Sequence, residues 1–172
     1  AGDDVLLGGW GRDTIDGGAG TDTLVFEVAT GAQVDLMITG QQWTNEGGDI
    51  ILNIENVTGG NGNDRLFANN GANVLLGQAG ADLLVGRGGA DLLNGGFGND
   101  TLRGGDGNDV LTGGAGADVF MFFAGDDADQ ITDFEQGADL INFASGAEAL
   151  TDLTFTQVGA NTHVRYGGNV II

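Results

Sequence analysis

Cysteine and proline are both absent from the 172 residues, serine and histidine occur once each (Ser145, His163), and only 5 residues are basic. Without cysteine there is no disulfide framework and no thiolate metal site, so an extracellular chain of this kind must draw its stability from another source. Five basic against 25 acidic residues give a net charge of −20. That excludes nucleic acid as a natural partner, because phosphate contacts need Lys and Arg. A Ser–His–Asp triad would need both single residues placed by chance; His163 reads instead as a strand surface residue. No run of 18 apolar residues exists, so no transmembrane segment is expected. The EF-hand pattern D-x-[DN]-x-[DN]-G with its distal Glu is missing as well. The start, "AGDDVLLGG", has no signal-peptide pattern and lies part-way through a motif, which predicts a piece of a longer chain.

What is abundant is glycine, 35 residues of it, and acid. Glycine favours the unfolded chain entropically, and the charge repels itself, so folding needs a compensating partner. The composition points to cations. The glycine and acid are also ordered. From "GGNGNDRLF" onward the unit G-G-x-G-x-D-x-U-x (U apolar) starts at Gly59, Ala68, Gly77, Gly86, Gly95, Gly104 and Gly113 without a slip. The sixth positions are Asp64, Asn73, Asp82, Asp91, Asp100, Asp109 and Asp118; the eighth are Leu66, Leu75, Leu84, Leu93, Leu102, Leu111 and Phe120. Nine residues outward lie Glu55, with Val57, on one side and Asp127 on the other. A shorter block opens the chain with Asp4, Asp13 and Asp22 and with Leu6, Ile15 and Leu24. Asp22 and Glu55 are out of register, so residues 26–58 are expected to bridge the blocks as a wider turn.

The spacing predicts six residues of turn and three of strand. Position 8 points inward and stacks into a narrow leucine core. Two units make one turn of a flattened solenoid, so like edges recur every 18 residues with coils ~4.8 Å apart. An Asp then faces an Asp in the next coil at that distance, which is repulsive unless a cation lies between them. Carboxylates and turn carbonyls make a hard oxygen shell that suits Ca²⁺ better than Mg²⁺ or soft metals. The periodicity accounts for the many aspartates without paired-carboxylate catalysis, and tandem G-x-G segments do not fit a dinucleotide fold. No catalytic or organic-cofactor residues are assigned.

The nonapeptide is an established signature of Ca²⁺-binding parallel β-helices, and the chain resembles the RTX (repeats-in-toxin) family. Its flanks do too: "VDL" at 34–36, "NIENVTGGNGND" at 53–64, "GADVFMF" at 116–122 and "ITDFEQGADLINF" at 131–143. The resemblance implies an all-β, right-handed parallel β-roll with a C-terminal antiparallel cap. It implies that each calcium takes the carbonyls of positions 2 and 4 and the Asp of one turn. The next turn on that edge supplies carbonyls 1 and 3 and its own Asp. Carried over, Gly60, Gly62 and Asp64 face Gly77, Ala79 and Asp82. The further carbonyls at positions 1 and 3 are Gly86 and Gly88, Gly95 and Phe97, Gly104 and Asp106, and Gly113 and Ala115. The pairs are Asp64–Asp82, Asp82–Asp100 and Asp100–Asp118 on one edge. On the other they are Glu55–Asn73, Asn73–Asp91, Asp91–Asp109 and Asp109–Asp127, with Asp4–Asp22 in the first block; Asp13 is a further candidate ligand. About eight Ca²⁺ would bring the net charge from −20 to about −4. Asn73 lowers the ligand charge of the two sites that it shares. Asp133 and Asp139 read equally as a further site or as turn residues.

The expected organisation is a short roll block at 1–25, the bridge at 26–58, the main roll at 59–127 and a cap at 128–172. In the bridge, Val34, Leu36 and Ile38 and then Ile50, Leu52 and Ile54 read as strands, with "GQQWTNEGGD" as the loop between them. Leu153–Val158 and Thr162–Tyr166 flank "GAN" as a hairpin, followed by 170–172. Val74, Leu76, Leu92 and Val110, with Asn94 and Thr112, should face outward. They read as a docking stripe for a second copy or neighbouring domain, or as a face merely rich in β-formers or covered by the bridge. The expected function is a calcium-binding module that folds on binding, with calcium ions as its partners. The resemblance implies a type I secretion substrate at the exterior or surface of a Gram-negative bacterium. The alternatives are an accessory domain of a secreted metalloprotease, lipase or alginate epimerase, or a structural unit of an adhesin or surface layer.

Overall fold

One strand per nonapeptide is the rule through the centre of the molecule. The structure is a computed structural model that describes residues 1–27, 31–44, 46–123 and 125–143, and the backbone of 154–158, 161–166 and 169–171. Along one face run β1 (Val5–Leu7), β3 (Thr23–Val25), β7 (Asn56–Gly60), β9 (Val74–Ala79), β11 (Leu92–Phe97), β13 (Val110–Ala115) and β15 (Gln130–Ile131). They form a seven-stranded parallel sheet, one strand from each coil. The opposite face holds β4 (Gln33–Asp35), β8 (Arg65–Phe67), β10 (Leu83–Gly88), β12 (Thr101–Asp106), β14 (Val119–Phe122) and β16 (Leu140–Phe143). The chain is an all-β solenoid.

The eighth position of every unit points inward. Leu24, Val57, Leu75, Leu93 and Leu111 pair down one sheet and Val34, Leu66, Leu84, Leu102 and Phe120 down the other, all with 0 % exposure. Each such leucine contributes about 2 kcal/mol of burial, and one per nine residues makes a core a single side chain wide. The strands are longer than expected. β9 to β13 each span six residues, leaving three for the turn, because positions 2 and 3 of the next unit stay in the ladder: Arg87 pairs with Gly105 and Gly88 with Asp106. Position 2 takes the left-handed region, at φ +105° in Gly96, +79° in Gln78 and +76° in Arg87.

Leu24 of β3 pairs directly with Val57 of β7, so the intervening residues loop out of a single enlarged coil. Within it "GQQWTNEGGD" is not simply a loop. β5 (Gln41–Trp43) pairs antiparallel with β6 (Gly48–Leu52), and β6 pairs parallel with β2 (Thr14–Asp16). Gln42 makes this strand possible: its amide accepts from the Asp35 N–H at 2.8 Å and donates to the Asp35 carbonyl at 3.1 Å, replacing a main-chain partner for β4. Register sets the buried face of β6. Ile51 lies opposite Ile15 and is 2 % exposed, while Ile50 and Leu52 are only half-buried. Arg87 fastens the bridge to the roll through two 2.7 Å bonds to the Asp35 carboxylate.

The outward stripe forms two rows: Val74, Leu92 and Val110 are aligned, as are Leu76, Asn94 and Thr112. These residues are half-buried apart from Leu92, which is 42 % exposed. The bridge strands β4, β5 and β6 pair on other sheets. Toward the C-terminus, β17 (Thr154–Val158), β18 (Asn161–Tyr166) and β19 (Asn169–Ile171) form an antiparallel sheet. His163 lies on β18; Ser145, Leu153 and Ile172 lie outside the described residues.

Candidate metal centre

The turns stack their sixth positions into two carboxylate ladders. On one edge the N–H of Asp64 donates to Oδ1 of Asp82 at 2.7 Å, Asp82 to Asp100 at 2.8 Å and Asp100 to Asp118 at 2.8 Å. On the other edge Asn73 donates to Asp91 and Asp91 to Asp109, both at 2.8 Å, and Asp4 donates to Asp22 at 2.7 Å. Each expected pair inside the uniform repeat is brought together. Asp22, Asp64, Asp82, Asp91, Asp100, Asp109 and Asp118 are 3 % exposed or less.

One oxygen of each rung is thereby satisfied, and the other is left over. Oδ2 of Asp13, Asp22, Asp82, Asp91, Asp100, Asp109, Asp118 and Asp129 is buried with no hydrogen-bond partner, as is Oδ1 of Asn73. A buried orphan carboxylate oxygen is costly. Those of Asp82, Asp91, Asp100, Asp109 and Asp118 lie against the first glycine of their own unit. A Cβ on Gly77, Gly86, Gly95, Gly104 or Gly113 would stand 2.0 to 2.4 Å from the Asp oxygen, closer than side chains tolerate. The carbonyl of the next coil's first glycine arrives at the same spot. From that Cβ position on Gly77 the Gly95 oxygen is 2.6 Å away, and from that on Gly86 the Gly104 oxygen is 2.6 Å away. Asp64 differs, because its Oδ2 accepts the Gly60 N–H at 2.8 Å. The third-position carbonyls of Phe97, Asp106 and Ala115 accept coil-to-coil bonds from Gly80, Gly89 and Gly98; a carbonyl has a second lone pair for a cation. Gly62 presents its carbonyl to Gly80, which is free of a Cβ there at φ +138°. Ala79 pairs with Phe97 within the sheet.

Burial drives the carboxyl groups toward the neutral form. Asp82 is pushed up to about 7 and Asp91 and Asp100 to about 6, with desolvation the largest cause and neighbouring carboxylates adding to it. Asp64, Asp109 and Asp118 move upward for the same reason. Among the described residues no three carboxylate or imidazole groups gather at one point. A cation here would hold two carboxylates and complete its shell with main-chain carbonyls, which suits a hard ion of high coordination number.

Outside the uniform repeat the rungs have partners that spacing did not identify. Asp127 is exposed and only accepts from the Gly107 N–H at 3.1 Å. Asp129 takes the place expected for it, accepting from Asp109 at 3.0 Å, and burial pushes Asp129 up to about 8. The physical reason is a coil of 20 residues in place of 18. The next coil is 21 long and brings Asp139 to Asp118 at 3.0 Å. Both oxygens of Asp133 accept main-chain N–H groups, from Gly113 at 2.9 Å and Gly114 at 2.7 Å. Asp13 meets Asp49 of the bridge at 2.9 Å. Ala32 occupies the rung before Asp64, so that position has no carboxylate. Glu55 does reach Asn73, but through a donor: Nδ2 of Asn73 donates to the Glu55 carbonyl at 2.5 Å.

Stacked acid turns on a parallel β-solenoid define a calcium-binding β-roll. The RTX calcium-binding nonapeptide repeat matches residues 1–24, 58–93, 85–120 and 94–131, and the chain belongs to that family. No curated protein matches the sequence. Among solved structures, the extracellular lipase LipA from Serratia marcescens is similar over 99 % of this chain, with a TM-score of 0.51 and 18 % identity. The chain spans 36 % of that lipase. The likeness is one of fold.

Proposed function

We propose that this chain is a calcium-dependent folding module of a secreted bacterial protein. The observation that carries the reading is the set of orphan Oδ2 atoms on Asp82, Asp91, Asp100, Asp109 and Asp118. Each faces a turn where a divalent ion would find a second carboxylate and main-chain carbonyls. Calcium supplies the positive charge that lets those acids ionise while buried. Without it, glycine entropy and a charge of −20 oppose a core one leucine wide. The chain is unfolded in low-calcium cytosol and folds by mass action outside the cell. This fits export through a type I secretion channel of a Gram-negative bacterium, with folding on exit acting as a ratchet. About eight ions are expected by the family rule, held at the position-6 acids and their carbonyl partners.

Circular dichroism during calcium titration, with magnesium as control and size measured in parallel, tests the reading. A cooperative gain of strand signal with compaction is expected for calcium only. A chain that stays compact and strand-rich after exhaustive chelation overturns it.

The extracellular lipase with the same fold favours an accessory role beside a separate catalytic domain. The half-open rows at Val74, Leu76, Leu92 and Val110 favour a structural unit that assembles with copies of itself. Light scattering of Val74→Asp against wild type in calcium separates the two; a monomeric wild type removes assembly.

A further inference from the structure

The nonapeptide match stops at residue 24 and resumes at residue 58, yet one carboxylate ladder crosses the gap. The N–H of Asp22 donates to Oε2 of Glu55 at 2.8 Å across 33 residues. The turn around Glu55 is fitted closely to Asp22. Glu55 and Asn56 donate to the Asp22 carbonyl at 3.2 and 2.9 Å, and Gly17 donates to the Leu52 carbonyl at 3.1 Å. Asp22 is 0 % exposed and its Oδ2 has no partner.

The surroundings of that oxygen match those of the regular rungs. A Cβ on Gly17 would lie 2.5 Å from Asp22 Oδ2 and 2.3 Å from the carbonyl oxygen of Asn53. At Gly77 the corresponding neighbours are Asp82 Oδ2 and the Gly95 carbonyl. Asn53 therefore stands where the next coil's first glycine stands elsewhere. Asn53 itself has a left-handed φ of 51°, which asparagine accepts more readily than other non-glycine residues. A segment without the nonapeptide rebuilds the oxygen arrangement of one.

We propose that Asp22, Asn53 and Glu55 hold a further calcium ion that joins the first coil block to the main roll across the bridge. The proposal rests on the calcium-module reading and adds a site at a place where the repeat is absent. A hard divalent ion fits because every donor is oxygen, two of the three are carboxylates, and one carboxylate oxygen is otherwise orphaned. The site makes docking of residues 1–24 depend on calcium separately from the uniform coils.

The test uses the full chain with calcium alone, read by native mass spectrometry and amide exchange. Glu55→Gln should carry one ion fewer than wild type, and should lose one ion again when made in an Asn73→Ala chain, which separates the junction from the Glu55–Asn73 rung. Its Thr23–Val25 amides should exchange at least about tenfold faster while Leu83–Gly88 stays protected. An unchanged ion count overturns the proposal, whether or not exchange changes. Should Glu55→Gln fail to fold, Glu55→Asp decides, since it keeps the charge and shortens the reach. A weakened ion with faster exchange in Thr23–Val25 supports the junction site, and an unchanged calcium isotherm overturns it. A wild type that binds no calcium defeats the parent reading; a wild type that folds with calcium beside an unaltered Glu55→Gln defeats the junction alone.

Discussion

The N–H of Asp82 points at Oδ1 of Asp100 from the coil above, 2.8 Å away, and the second oxygen of each carboxylate is buried without a partner. Two acids thus share one stack with only one hydrogen-bond donor between them. Their protonation must respond to whatever else carries positive charge into the turn.

Acid should partly replace calcium. Asp82 sits at about 7, Asp91 and Asp100 at about 6 and Asp129 at about 8, all raised by burial above the usual carboxylate range. A group with a raised folded value stabilises the fold fully below its unfolded value and loses that contribution as pH rises through the folded one. In chelator, strand signal should therefore grow as pH falls from about 8 toward about 4. Over the same range the calcium midpoint should rise, because ions must displace protons. Circular dichroism against pH, with and without calcium, checks both; a calcium-free signal flat across the window contradicts the ladder's burial.

Ion loss should follow the number of shared rungs. Asp91 lies between Asn73 and Asp109, whereas Asp4 has a neighbour on one side only. Asp91→Ala should lose two ions and Asp4→Ala one, counted by native mass spectrometry. Equal losses would mean that rungs do not share ions.

Asn73→Asp should lower the calcium midpoint several-fold. It replaces the donor now held against the Glu55 carbonyl with a second carboxylate oxygen beside the orphan Oδ1. The calcium-free chain should gain no stability. A midpoint that stays put or rises counts against Asn73 as a weak link.

Arg87 should matter by charge and by backbone. Its guanidinium holds the Asp35 carboxyl below the ordinary carboxylate value, and its own φ is +76°. Arg87→Ala loses the paired bond and keeps the strained φ, at a cost of roughly 1 to 3 kcal/mol. Arg87→Gly loses the same bond and relieves the backbone, so it should be more stable than the alanine variant by about 1 kcal/mol. Thermal unfolding in saturating calcium compares them; alanine at or above glycine would show the φ to be unstrained.

The uniform part of the molecule is legible because one period fixes two things at once. Leu66 through Phe120 are buried and Asp82, Asp100 and Asp118 are stacked for the same reason: a constant coil length returns each position to its own face. Where coil length varies, the signal fails although the physics continues. Asp109 finds Asp129, Asp22 finds Glu55 and Asp13 finds Asp49 at separations of 20, 33 and 36 residues. Loop closure becomes only slowly more costly as a loop lengthens, so a ladder tolerates an excursion provided that its ends return together. No periodicity encodes that. Gln42 was equally invisible, since an amide reads as polar loop material until β4 lies beside it.

The Arg87–Asp35 tie has a consequence for how such a chain can change its length. Duplicating a pair of adjacent nonapeptides downstream of it would leave every residue on its original side. Duplicating a single one between Ala68 and Gly86 would send Arg87 to the far wall of the molecule, away from its anchor on β4. An even step downstream of Arg87 therefore leaves this clasp in place, whereas a single repeat added between the bridge and Arg87 breaks it.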